Sequence, residues 1–427
     1  MEKSVRLLYN PSVNLQPSTI NLQLEKLTYG GDAMGRLPDG RAVFIPFGLQ
    51  GERVRIRLTE QKQNFARGEL LEILEPSPNR IVAKCKHFGI CGGCHYQNLS
   101  CENQLLAKAE ILRDQLLRIG KIENPPVAPM VASSSEWNYR NHVQFHLTED
   151  DKIGFVNAAG NTVIPISECH LPESSINSLW PQLEFEADLD ISRVSLRAGA
   201  DDDLMLVLES DSPEAPGLEI EADISVVHLF EDHPVVVAGA DHHFIRVFGR
   251  DFKVSAPSFF QVNTAMAETM VEHLLASLPI TPNDTLLDLY CGVGLFSAFF
   301  ASRAGGVIGV ESSESACEDF AFNLDEFDNV ELYEGAAEEI LPALVAQIGK
   351  MDYAIVDPPR AGLAPRVVDA MQALGPRVIA YVSCDPSTLA RDAKRLITGG
   401  YRLVQVTPFD LFPQTYHIES ISIFEKP

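Results

Sequence analysis

The 427-residue sequence predicts an α/β protein in three parts, a doubly wound C-terminal sheet preceded by a small β-barrel and a mainly-β block. Three patterns carry this prediction. From residue 256 onward, strand-like runs (TLLDLY, GVIGVE, NVELYE, YAIVD, RVIAYVS, YRLVQVTPF, HIESISIF) alternate with helical stretches, the pattern of strands joined by helical crossovers. Between 17 and 76, short alternating runs are cut by Gly, Pro and Asp, which suits a small OB-like barrel. Between 126 and 255, strand-like runs recur with few helical periods.

Residues 1–16 are polar and aperiodic and read as a flexible tail. In the barrel segment, ERVRIRL sends Val54, Ile56 and Leu58 to one face and Arg53, Arg55 and Arg57 to the other. That arginine face is either a solvated strand face or a phosphate-contacting one. The net charge of −25 argues against a polyanionic partner, but it is uneven: +4 over 1–125, −16 over 126–260 and −13 over 261–427. Only the N-terminal third has the sign expected for nucleic-acid binding. Residues 77–125 hold a cysteine cluster and then ENQLLAKAEILRDQLLRIG, an amphipathic helix with a stop at Gly120.

No window approaches about 18 uninterrupted apolar residues, and the opening MEKSVRLLYNPSVNLQ lacks a signal-peptide core. A cytoplasmic protein with no membrane partner is expected. Eight cysteines are too few for a disulfide scaffold in a chain this long, so clustered ones point to metal or reactivity.

In TLLDLYCGVGLFSAFFA a strand runs into Cys291-Gly292-Val293-Gly294 and then a helix, so the backbone can turn tightly at the strand end. Glu311 ends the next strand, where a carboxylate can accept from ribose hydroxyls. A dinucleotide fingerprint would need a further glycine where the chain has LFS; its absence suits S-adenosylmethionine, and the C-terminal third resembles a Rossmann-like class I methyltransferase domain.

The acceptor is open at this point. Asp357-Pro358-Pro359-Arg360 is similar to the loop that methyltransferases use on exocyclic amines, but Arg360 stands where an aromatic would stack. Carbon methylation of a pyrimidine instead requires a thiolate, because C5 of uracil becomes nucleophilic only after addition at C6. Cys384, in YVSCDPSTLARD, follows a strand at the ligand-binding edge of the sheet, before a helix whose N-terminus would favour a thiolate. Taken alone it reads equally as a small buried hydrophobe, and Glu419 as an exposed carboxylate on a terminal strand.

SFFQVN, DLYCGVGLF, VDPPRAG, YVSCDPSTLARD and HIESISIF, in that order, resemble the RNA uracil-C5-methyltransferase family that modifies tRNA and ribosomal RNA. Residues 17–76 resemble the TRAM RNA-binding barrel that many of its members carry. The resemblance implies Cys384 as nucleophile and Glu419 as the base that removes the C5 proton. Gln261, Tyr290, Gly292, Gly294, Glu311 and Asp357 then hold S-adenosylmethionine. Leu295 and Ala336 stand where some relatives have asparagine, and those contacts are not carried over. The expected substrate is a uridine in RNA, 23S rRNA before tRNA, and the expected state a monomer. An amino-directed methyltransferase using the Asp357 loop and a non-catalytic RNA-binding scaffold are the alternatives.

CKHFGICGGCHYQNLSC spaces cysteines at 85, 91, 94 and 101. Zinc would accept such a set with His87 or His95, and an iron-sulfur cluster would want four thiolates. The spacing leaves both metals open. The resemblance implies a [4Fe-4S] cluster on Cys85, Cys91, Cys94 and the distant Cys169, leaving Cys101 free; Cys291 and Cys317 read as packing residues.

Overall fold

The computed structural model describes residues 19–186, 190–217, 219 and 222–426, so the expected tail at 1–16 lies outside the described residues. Two compact units meet in sequence at Arg80 and Ile81.

The first unit is a closed barrel, in spatial order β1 (Thr19–Leu27), β2 (Ala33–Arg36), β3 (Ala42–Ile45), β5 (Phe65–Glu75) and β4 (Arg53–Gln61). Alternation decides which side chains go inside: Val54 and Ile56 are fully buried, while the intervening arginines point outward. Those arginines are not free cations. Arg53 pairs with Glu75 at 2.9 Å, Arg55 with Glu72 at 2.6 Å, and Arg57 with Glu69, all across the antiparallel β4–β5 ladder. The face read as an arginine stripe is therefore an electroneutral ladder of exposed ion pairs.

In the second unit, α1 (Cys101–Arg118) buries Ile111, Leu112 and Leu116, and the C-terminal domain follows a seven-stranded central sheet. The central order is β12 (His233–Ala238), β11 (Ser225–Phe230), β10 (Leu204–Ser210), β9 (Ile191–Ala198), β6 (His142–Leu147), β7 (Ile153–Val156), β8 (Val163–Pro165). The short α2 (Ser174–Leu179) supplies Ile176 to a core with Phe145, Val194 and Leu208.

The hairpin β13 (His242–Val247) and β14 (Arg250–Ser255) has a strand pattern that groups it with the central block in sequence. Its apolar residues Ile245, Val247, Phe252 and Val254 instead join the core of the C-terminal sheet. The boundary drawn at 255 thus falls too late by one hairpin.

The C-terminal sheet has the order β17 (Val330–Glu334), β16 (Gly306–Glu311), β15 (Thr285–Leu289), β18 (Tyr353–Val356), β19 (Val378–Ser383), β21 (Glu419–Glu425), β20 (Arg402–Phe409). The first five are mutually parallel, and β21 is antiparallel to both its neighbours. Five further crossover helices and one leading helix cover the faces: α3 (Thr264–Ser277), α4 (Leu295–Ala301), α5 (Glu314–Asn323), α6 (Ala337–Ile348), α7 (Pro365–Leu374) and α8 (Pro386–Thr398). Their starts are marked chemically. Asn263 caps α3, Ser313 caps α5, and Asp385 caps α8, with Pro386 in the first turn where its missing N–H costs nothing. Reversal at β19 to β21 places the C-terminal end of one strand beside the start of the other, where the site lies.

Candidate active site

The cofactor side of the site is built at the end of β15. Tyr290 takes a left-handed backbone (φ 62°) and Gly294 another (φ 90°), where a Cβ would sit 2.4 Å from Leu324 Cδ1. Gly292 N–H donates to Glu311 Oε2 at 2.9 Å, and Glu311 Oε1 accepts from Ser312 N–H at 2.7 Å and Ser313 N–H at 2.8 Å. Three backbone donors thus fix the Glu311 carboxylate at the tip of β16, with acceptor capacity left for a ligand. Gln261 is held from the central sheet, its carbonyl accepting from Asn141 Nδ2 at 3.0 Å. The Tyr290 hydroxyl and Asp288 Oδ1 are buried without a hydrogen-bond partner. Orphaned polar atoms beside a glycine turn and a fixed carboxylate suit a polar ligand such as S-adenosylmethionine.

Asp288 had no role from sequence. It lies within the apolar strand β15, fully buried, and accepts from Ser297 Oγ at 2.7 Å. Burial first, and the Glu311 charge after it, push its carboxyl up to about 7. Its only signal in the sequence is a single acid among leucines in TLLDLY.

The chemistry side lies one strand over. Asp357 follows β18, its N–H bonded to Leu289 O at 3.1 Å, and burial with the Asp288 and Glu311 charges raises its carboxyl to about 7. Cys384 follows Ser383, the last residue of β19, which pairs with Ser420. Continuing that register by one residue sets Cys384 opposite Glu419. Glu419 is 7% exposed, against the exposed position its sequence context suggested. Burial, then Asp357, push it well above the carboxylate range, while Arg360 opposes them.

The Cys384 thiol is half-buried and raised to about 12, by burial, Glu419 and Asp357 in that order, with Arg360 pulling the other way. The sequence suggested that the helix N-terminus would favour its thiolate. That expectation does not hold in the free protein, because the Asp385 carboxylate takes the N–H groups of Ser387 (2.8 Å) and Thr388 (3.0 Å). Those first-turn donors are already satisfied. His417, half-buried and lowered to about 3 by desolvation and then Arg360, stays neutral beside Phe412 and Tyr416.

Cys85, Cys91, Cys94 and Cys169 line one cavity of about 300 Å³ together with His87 and Arg140. Burial raises all four thiols, Cys94 to about 12 and Cys169 to about 11, and each of those two also feels the Cys91 charge and the Arg140 cation. Among the described residues no three or more His, Cys, Asp or Glu side chains are drawn together as a metal-binding group. The donor chemistry nonetheless fits a sulfur-ligated metal, being four thiols with a half-buried cation, Arg140, to offset thiolate charge. Cys101 is not in the lining; it opens α1 and accepts from Gln414 Nε2 at 3.3 Å. His95 lies outside it too, against Tyr416. Cys291 and Cys317 are buried.

Comparison with known proteins matches these features to a described class. Residues 241–426 match the family model described as tRNA (Uracil-5-)-methyltransferase, and residues 16–71 match the TRAM domain. An uncharacterized RNA methyltransferase of Halalkalibacterium halodurans is 32% identical, with 95% of this chain and 96% of that one aligned. One from Aquifex aeolicus is 33% identical, over 96% and 99% respectively. The crystal structure of Pyrococcus abyssi tRNA (uracil-54, C5)-methyltransferase in complex with S-adenosyl-L-homocysteine superposes with a TM-score of 0.72, at 25% identity, over 95% of this chain and all of that one. The chain belongs to the tRNA (uracil-5-)-methyltransferase family of S-adenosylmethionine-dependent RNA methyltransferases, in the form that carries an N-terminal TRAM barrel. No described helix is long and apolar enough to cross a membrane.

Proposed function

We propose that this enzyme methylates C5 of a specific uridine in RNA, 23S rRNA in preference to tRNA, through a covalent bond between Cys384 and C6. It acts in the cytoplasm, as a monomer. The observation that supports this reading is the register that sets Cys384 against Glu419 at one strand end, with Asp357 and Arg360 both close enough to shift their titration.

Gln261, Tyr290, Gly292, Gly294, Glu311 and Asp357 would hold S-adenosylmethionine, which supplies an electrophilic methyl group. The target base must leave its stack, least costly in a loop. Cys384 gives up its proton to solvent and its sulfur bonds to C6 as the C5–C6 double bond opens, leaving the electron pair that makes C5 nucleophilic. Glu419, whose raised pKa makes its carboxylate a stronger base than an exposed one, accepts the C5 proton after C5 has been methylated. Loss of that proton re-forms the C5–C6 double bond and expels the cysteine sulfur. Asp357 helps to hold the base. An amine acceptor would need neither Cys384 nor Glu419.

Cys85, Cys91, Cys94 and Cys169 would hold a [4Fe-4S] cluster, with zinc the competing occupant; either would tie the 85–94 segment to the central sheet and serve structure or RNA placement. Digestion of RNA after incubation with S-adenosylmethionine tests the methylation reading: 5-methyluridine is expected, and an N-methylated base in its place would overturn it.

A further inference from the structure

YVSCDPSTLARD ends in an aspartate that the reaction above does not use. Asp392 is fully buried on α8, and five donors from three elements converge on its carboxylate. Oδ2 accepts from Leu363 N–H at 2.8 Å, from the Tyr381 hydroxyl of β19 at 3.0 Å and from Arg391 Nη2 at 3.0 Å. Oδ1 accepts from Arg391 Nε at 2.9 Å and Arg395 Nη1 at 3.3 Å. Arg391 Nη2 also donates to Ala361 O at 2.8 Å, so the loop is gripped on both sides of Gly362. Gly362, between them, has φ +71°, and a Cβ there would lie 2.4 Å from Asp392 Oδ2 and 2.6 Å from Arg391 Nη2. No other residue type fits that approach without displacing the clamp.

We propose that Asp392 is a positioning residue that locks the loop from Asp357 to Leu363 onto α8 and so fixes Arg360 relative to Cys384. The inference rests on the reading of Cys384 as the nucleophile only for its relevance to turnover; the geometry it describes is independent of that reading. Arg360 itself is exposed, and both sides of the gap it spans are tied to Asp392: the loop through Leu363, and the strand leading to Cys384 through Tyr381. The charged groups facing the thiol are Glu419 from β21 and Asp357 and Arg360 from this loop, with Asp385 its chain neighbour. Arg360 is the one cation among them, so its placement governs how readily the thiol ionises.

The test is a double-mutant cycle read by iodoacetamide alkylation of Cys384 in the free protein, followed at peptide level by mass spectrometry from pH 7 to pH 10. Arg360→Ala should slow alkylation at pH 9 about tenfold, the equivalent of one pH unit. Asp392→Asn should slow it in the same direction, and should have no further effect in the Arg360→Ala background. If Asp392→Asn leaves the profile unchanged, or slows alkylation equally with and without Arg360, the proposal is overturned. Should Asp392→Asn fail to fold, Arg391→Gln replaces a partly exposed side chain that grips the same loop, and the same criteria apply. Methyl transfer is not part of this readout, so failure of the methylation reading would leave its outcome intact.

Discussion

Cys384 follows Ser383 and Glu419 precedes Ser420, the last pair of the ladder where the antiparallel β21 meets the end of the parallel β19, and the Glu419 charge acts on the thiol. Parallel strands alone would bring only their C-terminal ends to this edge. The reversal of β21 brings its first residue there, so a side chain more than thirty positions downstream meets the thiol. The Glu419 charge raises the proton affinity of the Cys384 thiol, burial and then Asp357 raise that of Glu419, and both groups are protonated more readily than their exposed counterparts.

Replacing Glu419 with glutamine removes the charge that most opposes Cys384 ionisation after burial. The thiol should titrate lower and alkylate faster than wild type at pH 9. With RNA and S-adenosylmethionine the same variant should stall after methylation, since no group takes the C5 proton, and a protein–RNA species should survive denaturing electrophoresis.

Stability should carry the same signature. Glu419 has a folded pKa raised above its ordinary 4.5, so the folded state holds the proton more tightly than the unfolded chain. Its contribution turns unfavourable as pH rises above about 4.5, and the penalty grows until the folded carboxyl ionises. Glu419→Gln should therefore melt close to wild type at pH 4 and above it at pH 7 and beyond, as thermal denaturation across pH would read.

Lys108 of α1 and Asp410 form a fully buried ion pair at 2.6 Å, with Lys108 also donating to Phe412 O at 3.0 Å. Removing one partner leaves a buried charge, so Lys108→Met should cost roughly 3–5 kcal/mol, and Lys108→Met with Asp410→Leu should recover much of it. The pair anchors the start of the 410–418 segment that leads to Glu419, so denaturant melts of the single and double variants also report on that support.

How much of this was legible in the sequence depends on how local each signal is. The glycine turn, Glu311 and Cys384 are marked by short contiguous motifs at strand ends, and the alternation of strands and helices is equally local. The Arg53, Arg55 and Arg57 ladder was not legible, because its partners Glu75, Glu72 and Glu69 are chosen by the β4–β5 register, which includes bulges. The burial of Glu419 depends on strand order. Asp392 is likewise silent in sequence, since its partner Leu363 lies 29 residues away. The hairpin at 242–255 has a strand pattern that says nothing of which core it joins.

For the barrel, cross-strand pairing leaves little free positive charge on the β4 face. Arg55→Ala should change stability by less than about 1 kcal/mol, and the salt slope of RNA binding should stay unchanged; a slope reduced by about one would make Arg55 a phosphate contact.

Anaerobic purification should yield a brown protein with about four irons and four sulfides per chain, lost in Cys85→Ser, Cys91→Ser, Cys94→Ser or Cys169→Ser but retained in Cys101→Ser. A colourless, zinc-loaded protein would contradict the cluster.

The most direct test of the central claim is proton loss at the acceptor carbon. RNA tritiated at uracil C5, given S-adenosylmethionine, should release tritium to water in step with methyl transfer, and Cys384→Ala should abolish both while still binding the cofactor. Methyl transfer without tritium release would contradict the account.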